Sequence, residues 1–375
     1  MQRNKERKPA DINLLFIEEP EAHTHPQMQY VFIKNIKELL KQGILHKDGI
    51  SRKLQYIVSS HSAHIVADCD FNDIKYMVHS QKNGIFEKNS VIAKNMKDLQ
   101  KEYEGDAEYK QYFAFLKQYL TLNRSELFFA DKAIFIEGDT ERILLPAMMK
   151  MIDEEHEPEE NENYLLSQNV SIIEVGAYSH IFEKFMRFIG LRKCLIITDL
   201  DCCKPVEKTD KNGRKTTKYE KAPYDVTDDN MVTSNASIKS FLKISSIKDI
   251  LSDVPVKLSW DDAAICWKRN NNGNLMIAFQ YGKNGAYQPR SFEDAFFSEN
   301  KEFITSNSFS SLDPECVEKF QEDNNPYELA QNGVNGKSSL AIEILLHGNT
   351  ETNPENGHWN IPNYIKEGLL WLRKD

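Results

Sequence analysis

Between residues 132 and 201 the chain runs through five segments in turn: "KAIFIEG", "TERILLPAMMKMI", "VSIIEVGAY", "HIFEKFMRFIG" and "KCLIITDLD". The first, third and fifth are short, apolar and rich in β-branched residues, whereas the second and fourth repeat their apolar positions at helical period. Parallel strands cannot be joined by a tight turn and need a crossover, usually a helix. A strand, helix, strand, helix, strand succession therefore predicts an α/β unit with a parallel sheet covered by helices.

In open α/β sheets, active sites form beyond the carboxyl ends of the strands. Glu137 ends the first strand, and Glu141 follows four residues later, one helical turn away if the helix begins near Thr140. Asp199 and Asp201 end the third strand, and in extended chain their alternation aims both side chains to one side. Four carboxylates in one crevice would repel strongly unless divalent cations neutralise them. Oxygen-only ligands favour Mg²⁺ or Mn²⁺ over zinc. Two such ions, roughly 4 Å apart, can stabilise the attacking and leaving oxygens of a displacement at phosphorus. The chemistry indicated is phosphodiester hydrolysis.

The net charge of −10 argues against a broadly basic surface. A metal site concentrates carboxylates, however, so charge has to be read locally. Residues 153–163 carry seven acids and read as a solvated linker. Residues 204–221 carry seven basic residues against three acidic ones, among them Lys211, Arg214 and Lys215. This stretch is either a hand for phosphates beside the metal site or a solvated loop. Arg124 and Arg290 are lesser candidates for contacts to a phosphate backbone, and none of these residues implies base specificity.

Near the amino terminus, "LLFIEEPEAHTHPQ" runs an apolar strand straight into Glu18 and Glu19. Phosphate-loop ATPases end such a strand in a Mg²⁺-binding acid followed by a water-orienting glutamate. "SSHSAHI" places His61 after a second strand, where an ATPase of the ABC type has a histidine that contacts the γ-phosphate. The matching phosphate cradle, GxxxxGK[ST], has one candidate, "QNGVNGKSS" at residues 331–339. It has Gln331 where glycine is required and follows the acidic strand instead of preceding it, so it is rejected. Residues 1–94 are therefore expected to form a partial ATPase lobe. ATP would bind only if the front half came from a longer chain or another polypeptide.

Residues 95–128 carry helical periodicity and are expected to connect that lobe to the α/β unit at 129–375. The six cysteines show no CxxC pair and read as reduced thiols. No apolar run approaches the roughly 20 residues that span a bilayer, and "MQRNKERKPADIN" lacks the apolar core of a signal peptide. The expected address is the cytoplasm, without membrane contact.

"IFIEGDTERILLPAM" followed by "LIITDLD" resembles a Toprim domain. With "FIEEPEAHTHPQ" and "SSHSAHI", it resembles the overcoming-lysogenization-defect (OLD) family of ATP-dependent endonucleases, which includes the nuclease subunit of the Gabija antiphage system. The resemblance implies a Rossmann-like Toprim nuclease behind an ABC-type lobe, cutting DNA with two Mg²⁺ or Mn²⁺ ions. It implies that Glu137, Glu141, Asp199 and Asp201 hold metal, with Glu137 also suited to proton transfer. "PRSFEDAF" resembles the family's later acidic element, which makes Glu293 or Asp294 a further ligand. "NGKSSLAIEIL" matches the family's late lysine, which makes Lys337 a cation facing the pentavalent phosphorus. The alternative is a non-catalytic nucleic-acid-binding or assembly module of a larger ATPase complex. An exposed half-lobe would then associate with itself or with a partner protein.

Overall fold

The structure is a computed structural model that describes residues 13–22, 24–42, 44–45, 51–52, 54–82, 85–122, 124–209, 215–282, 287–349, 353 and 355–374. The chain divides into two compact units, residues 1–129 with 187–190, and residues 130–186 with 191–375. No helix among the described residues is long and apolar enough to cross a membrane. The six cysteines form no disulfide among the described residues.

In the first unit, β1 (Asn13–Glu18) lies parallel to β2 (Leu54–Ser59), with Phe16 opposite Ile57, and α1 (Pro26–Gln42) is the crossover between them. After α2 (Ala63–Ala67), β3 (Lys75–Lys82) does not join that pair. It forms an antiparallel hairpin with β4 (Ile85–Asn95). The expected helical stretch contains α3 (Met96–Glu104) and α4 (Phe113–Leu122). Phe71, Leu99, Tyr103, Leu116, Leu120 and Phe128 are buried here, with Phe71 edge-on to Phe113.

The expected alternation appears as β5 (Lys132–Ile136), α5 (Asp139–Glu155), β6 (Val170–Glu174), α6 (Glu183–Ile189) and β7 (Lys193–Ile197), all in the second unit save residues 187–189 of α6. The chain then forms a ribbon from β8 (Cys202–Thr209) and β9 (Lys215–Lys221), with β10 (Val232–Thr233) pairing the base of β8. It continues through α7 (Ala236–Leu242), β11 (Val256–Asp261), β12 (Cys266–Arg269) and β13 (Leu275–Ala278). The six-stranded sheet has the order β12, β11, β13, β7, β5, β6. β13, β7, β5 and β6 are parallel, and β11 and β12 form an antiparallel edge.

β5 is buried at every position, as a parallel strand covered on both faces should be. Its one charged residue, Lys132, is reconciled with burial by donating to the carbonyls of Leu372 and Lys374 and to the Gln168 side chain. Those carbonyls close α12 (Asn363–Arg373), the negative end of a helix, where a cation is favourable. Gly368 lets α12 lie directly on the sheet, since a Cβ there would come 2.9 Å from Leu195. On the same side of the chain's order, α8 (Phe292–Glu299), α9 (Lys301–Ser306), α10 (Pro314–Asp323) and α11 (Lys337–His347) supply a phenylalanine-rich core around Phe292, Phe296, Phe297 and Phe303.

The acidic 153–163 stretch is not wholly a solvated linker. The Asp153 carboxylate accepts the backbone N–H groups of Leu165 and Leu166. The largely buried Glu162 side chain lies 3.6 Å from Arg373 and 3.5 Å from Lys374.

Candidate active site

Three neighbouring parallel strands, β5, β7 and β13, end at one edge of the sheet, and the residues just past them are Glu137, Thr198 with Asp199, and Gln280. Three helices also begin there. Glu141 sits in the first turn of α5, Glu293 in the first turn of α8, and Lys337 opens α11. The starts of α5 and α11 are tied by a hydrogen bond from the Ser338 hydroxyl to Asp139, 3.1 Å. Each helix start carries roughly half a positive charge from its unpaired N–H groups, which favours anions at this edge.

Glu137 is gripped through one oxygen. Its Oε1 accepts the Thr198 hydroxyl, the Asp199 backbone N–H at 3.1 Å and the Asn235 amide at 2.8 Å. Burial lifts its pKa, these three donors oppose the lift, and the charge of Asp201 adds to it. Asp199 is pinned by the Gln280 amide at 2.7 Å and the Phe292 N–H at 2.9 Å, both on Oδ1. Burial raises its pKa well above the ordinary carboxylate range, and Glu137, Glu293, Glu141 and Asp201 push it the same way. Glu141 is 6% exposed. Burial, followed by the charges of Glu293 and Glu137, pushes it up to about 7, against its own backbone N–H and Lys337.

The carboxyl groups therefore share one electrostatic neighbourhood. Lys337 supplies its cation, with Nζ 2.9 Å from the buried Glu293. Burial draws the ammonium pKa down, but Glu293, Asp199 and Glu141 outweigh it and hold it above its usual value. Among the described residues, no three carboxylate, histidine or cysteine side chains already stand grouped to hold a metal ion. The donor set nonetheless fits a hard divalent cation, because it is all oxygen and because burial, with repulsion among neighbouring acids, holds Glu137, Glu141 and Asp199 up.

Four sequence expectations need correction. Asp199 and Asp201 do not alternate along a strand, because β7 stops at Ile197 and Asp201 has a left-handed φ of 51°. An aspartate tolerates that conformation better than most residues, and the turn sends its carboxylate to Arg290, 2.7 Å away. Arg290 is accordingly no DNA-facing side chain. It is 6% exposed, and its Nε donates to the Cys202 carbonyl at 3.2 Å. Asp294 is fully buried as the capping-box residue of α8. Its oxygens accept Ser291 N–H and hydroxyl, Arg290 N–H and the Tyr287 hydroxyl, so it belongs to the cap and Glu293 is the acid beside Lys337.

The fourth correction concerns the basic stretch, which is a ribbon where it is described. There Lys215 pairs with Glu207 at 3.0 Å. Lys211 and Arg214 lie outside the described residues. Arg124 belongs to the first unit, 3.8 Å from Glu126.

Thr198, Asn235 and Gln280 were not singled out from the sequence. Asn235 has a local signal, since it precedes a helix and its Oδ1 caps Ile238 N–H at 3.1 Å. Gln280 has none. Its carboxamide, buried completely, accepts Leu200 N–H at 2.7 Å while donating to Asp199.

In the first unit, Glu18 ends β1 and Glu19 follows in a left-handed conformation, φ 37°, uncommon for a residue with a side chain. Glu19 lies 3.5 Å from His61, with both side chains exposed. Glu21, also unforeseen, accepts the Ser60 hydroxyl at 2.9 Å and His61 N–H at 2.6 Å, fastening the loop after β2.

Residues 128–201 match the family described as overcoming lysogenization defect protein-like, TOPRIM domain. This part of the α/β unit is similar to an OLD-like TOPRIM domain. Residues 1–66 match the AAA ATPase domain family. Endonuclease GajA of Bacillus cereus (strain HuB5-5) is 30% identical over 385 residues, covering 97% of this chain and 49% of that protein. The chain thus spans about half the length of that relative. Among solved structures, the C-terminal region of the Burkholderia pseudomallei OLD protein matches 65% of this chain and 98% of its own length, at 16% identity and a TM-score of 0.32. Glu137, Glu141, Thr198 and Asp199 fall within the TOPRIM match, whereas Gln280, Glu293 and Lys337 lie after it.

Proposed function

We propose that this chain is a divalent-metal-dependent DNA endonuclease. The observation that carries the reading is the convergence of Glu137, Glu141, Asp199 and Glu293 at strand ends and helix starts, with Lys337 set against them. Kinship with a protein named an endonuclease supports the reaction class. Glu137, Glu141, Asp199 and Glu293 would hold Mg²⁺ or Mn²⁺, with Asp201 at the margin. Bound cations would activate water and neutralise charge at phosphorus.

The chain's own residues do the rest. Thr198 and Asn235 fix one oxygen of Glu137, and the other takes neither donor. Gln280 and the start of α8 hold Asp199 in place. Without metal, burial and then Glu293 and Glu137 push the Glu141 carboxyl up to about 7, so a cation taken there would displace a proton. Lys337, more than half exposed though tethered to Glu293, is positioned to stand against negative charge gathering on phosphate oxygens.

Purified protein with supercoiled plasmid is expected to produce nicked circles in Mg²⁺ or Mn²⁺ and none in EDTA. Glu137→Ala and Lys337→Ala should each abolish nicking, and cutting that survives both substitutions refutes the assignment.

A second reading makes the chain a nucleic-acid-binding or assembly module without catalysis. The capture of Asp201 by Arg290 favours it. DNA binding without cleavage in any divalent metal would select it. For Glu18, Glu19 and His61 we propose an ATP-responsive role only in a completed site. A part in antiphage defence is proposed on the family resemblance of the motifs alone.

A further inference from the structure

The ribbon β8–β9 leaves the sheet directly from the acidic crevice, since β8 begins one residue after Asp201. Cross-strand register puts Lys204 opposite Glu220, Val206 opposite Lys218 and Lys208 opposite Thr216, so these six share one face. Cys203, Pro205, Glu207 and Thr209 share the other face with Lys221, Tyr219, Thr217 and Lys215. On the first face, Lys208 lies 2.5 Å from Glu220. Lys204 stands directly across from Glu220 and Lys218 two residues before it on the same face, so three lysines flank a single carboxylate. On the opposite face Lys215 is matched by Glu207, leaving Lys221 as the surplus charge among the ribbon's described residues. The first face is thus net positive in a chain whose net charge is −10.

We propose that the face bearing Lys204, Lys208 and Lys218 is a docking surface for the phosphate backbone of DNA, which it guides toward the acidic crevice. The inference rests on the reading of the chain as acting on DNA. Geometry suits it: at about 3.3 Å per residue, Lys204 stands roughly 10 Å along the strand from Asp201 and Lys208 roughly 23 Å. That interval spans several successive phosphates of a duplex, in which charges recur about every 1.7 Å of axis. Lysine on an exposed ribbon contacts phosphate without reading base identity, so the surface would hold DNA independently of sequence.

The test is fluorescence anisotropy of a fluorescein-labelled 30-base-pair duplex with the full chain in EDTA, titrated across salt concentrations. Each phosphate contact adds about 0.9 to the slope of log affinity against log salt. Lys204→Gln/Lys208→Gln/Lys218→Gln should flatten the slope by about 2–3 and weaken binding roughly a hundredfold at 0.1 M salt. Lys215→Gln/Lys221→Gln should flatten it by about 1 at most. Thermal melting of each variant monitors the fold. An unchanged slope in the triple variant, equal losses from both faces, or no salt-dependent binding by the unmodified chain overturns the proposal. Binding without cleavage would retire the nuclease reading and leave this one standing, and cleavage with an unaltered slope would do the reverse.

Discussion

Replacing Glu141 by glutamine should make the metal-free protein more stable while abolishing cleavage. Glu141 is buried among Glu293 and Glu137, which with burial hold it at about 7 against an ordinary value of 4.5. The folded state therefore keeps a proton that the unfolded chain releases, and stability falls as pH rises through that window. Below about pH 4.5 both states are protonated and the residue costs nothing. Above about pH 7 the full difference applies, on the order of 3 kcal/mol at 1.36 kcal/mol per pKa unit. At pH 5 the same linkage leaves a cost of only about 1 kcal/mol. Glutamine keeps the shape, has no charge to suppress and offers an N–H₂ to the neighbouring carboxylates.

Urea or thermal unfolding of both proteins in EDTA, at pH 8 and pH 5, reads the effect directly. For a unit of this size the pH 8 gain corresponds to about 6–12 °C in the transition of the second unit, shrinking to a few degrees at pH 5. Adding Mn²⁺ should stabilise the unmodified protein more than the variant, since cations bind the native carboxylates and not the unfolded chain. The reasoning fails if Glu141→Gln is no more stable than the parent at pH 8, or if its advantage does not shrink in acid. A functional carboxylate that weakens its own fold is what a site built for charge, and not for stability, should show.

Asn235→Ala should lose both the helix cap and a hydrogen bond to a buried carboxylate, about 2–4 kcal/mol together by urea unfolding at pH 8. Asn235→Asp keeps the cap but sets a like charge against Glu137, so it should be the less stable of the two in EDTA and the more strongly rescued by Mn²⁺; equal responses would contradict the role given to the amide. Arg290→Met leaves Asp201 without its buried counter-ion. Because the Asp201 side chain is a quarter exposed, solvent reduces the usual penalty to about 2–3 kcal/mol. Arg290→Lys should recover little of it, since one ammonium cannot reach both Asp201 and the Cys202 carbonyl as the guanidinium does. Unfolding midpoints indistinguishable from the parent would show that Arg290 does not organise the turn.

What local sequence could determine was the α/β alternation and the acids that end its strands. Strands buried on both faces must be continuously apolar, so the first charged residue after each run, Glu137 or Asp199, marks a carboxyl edge. The same logic could not place β13 beside β7, because that pairing joins segments about eighty residues apart through a ribbon and an antiparallel edge. With β13 came Gln280, and with α8 came the choice between two adjacent acids, Glu293 beside Lys337 and Asp294 in the cap. Arg290 reads in sequence as a basic surface residue, and only the tertiary fold turns it inward onto Asp201. Periodicity is a property of neighbouring residues, so it survives in one dimension. Which polar group meets which depends on where distant strands and helix starts are brought together, and burial then decides whether a charge is free to act or must be matched.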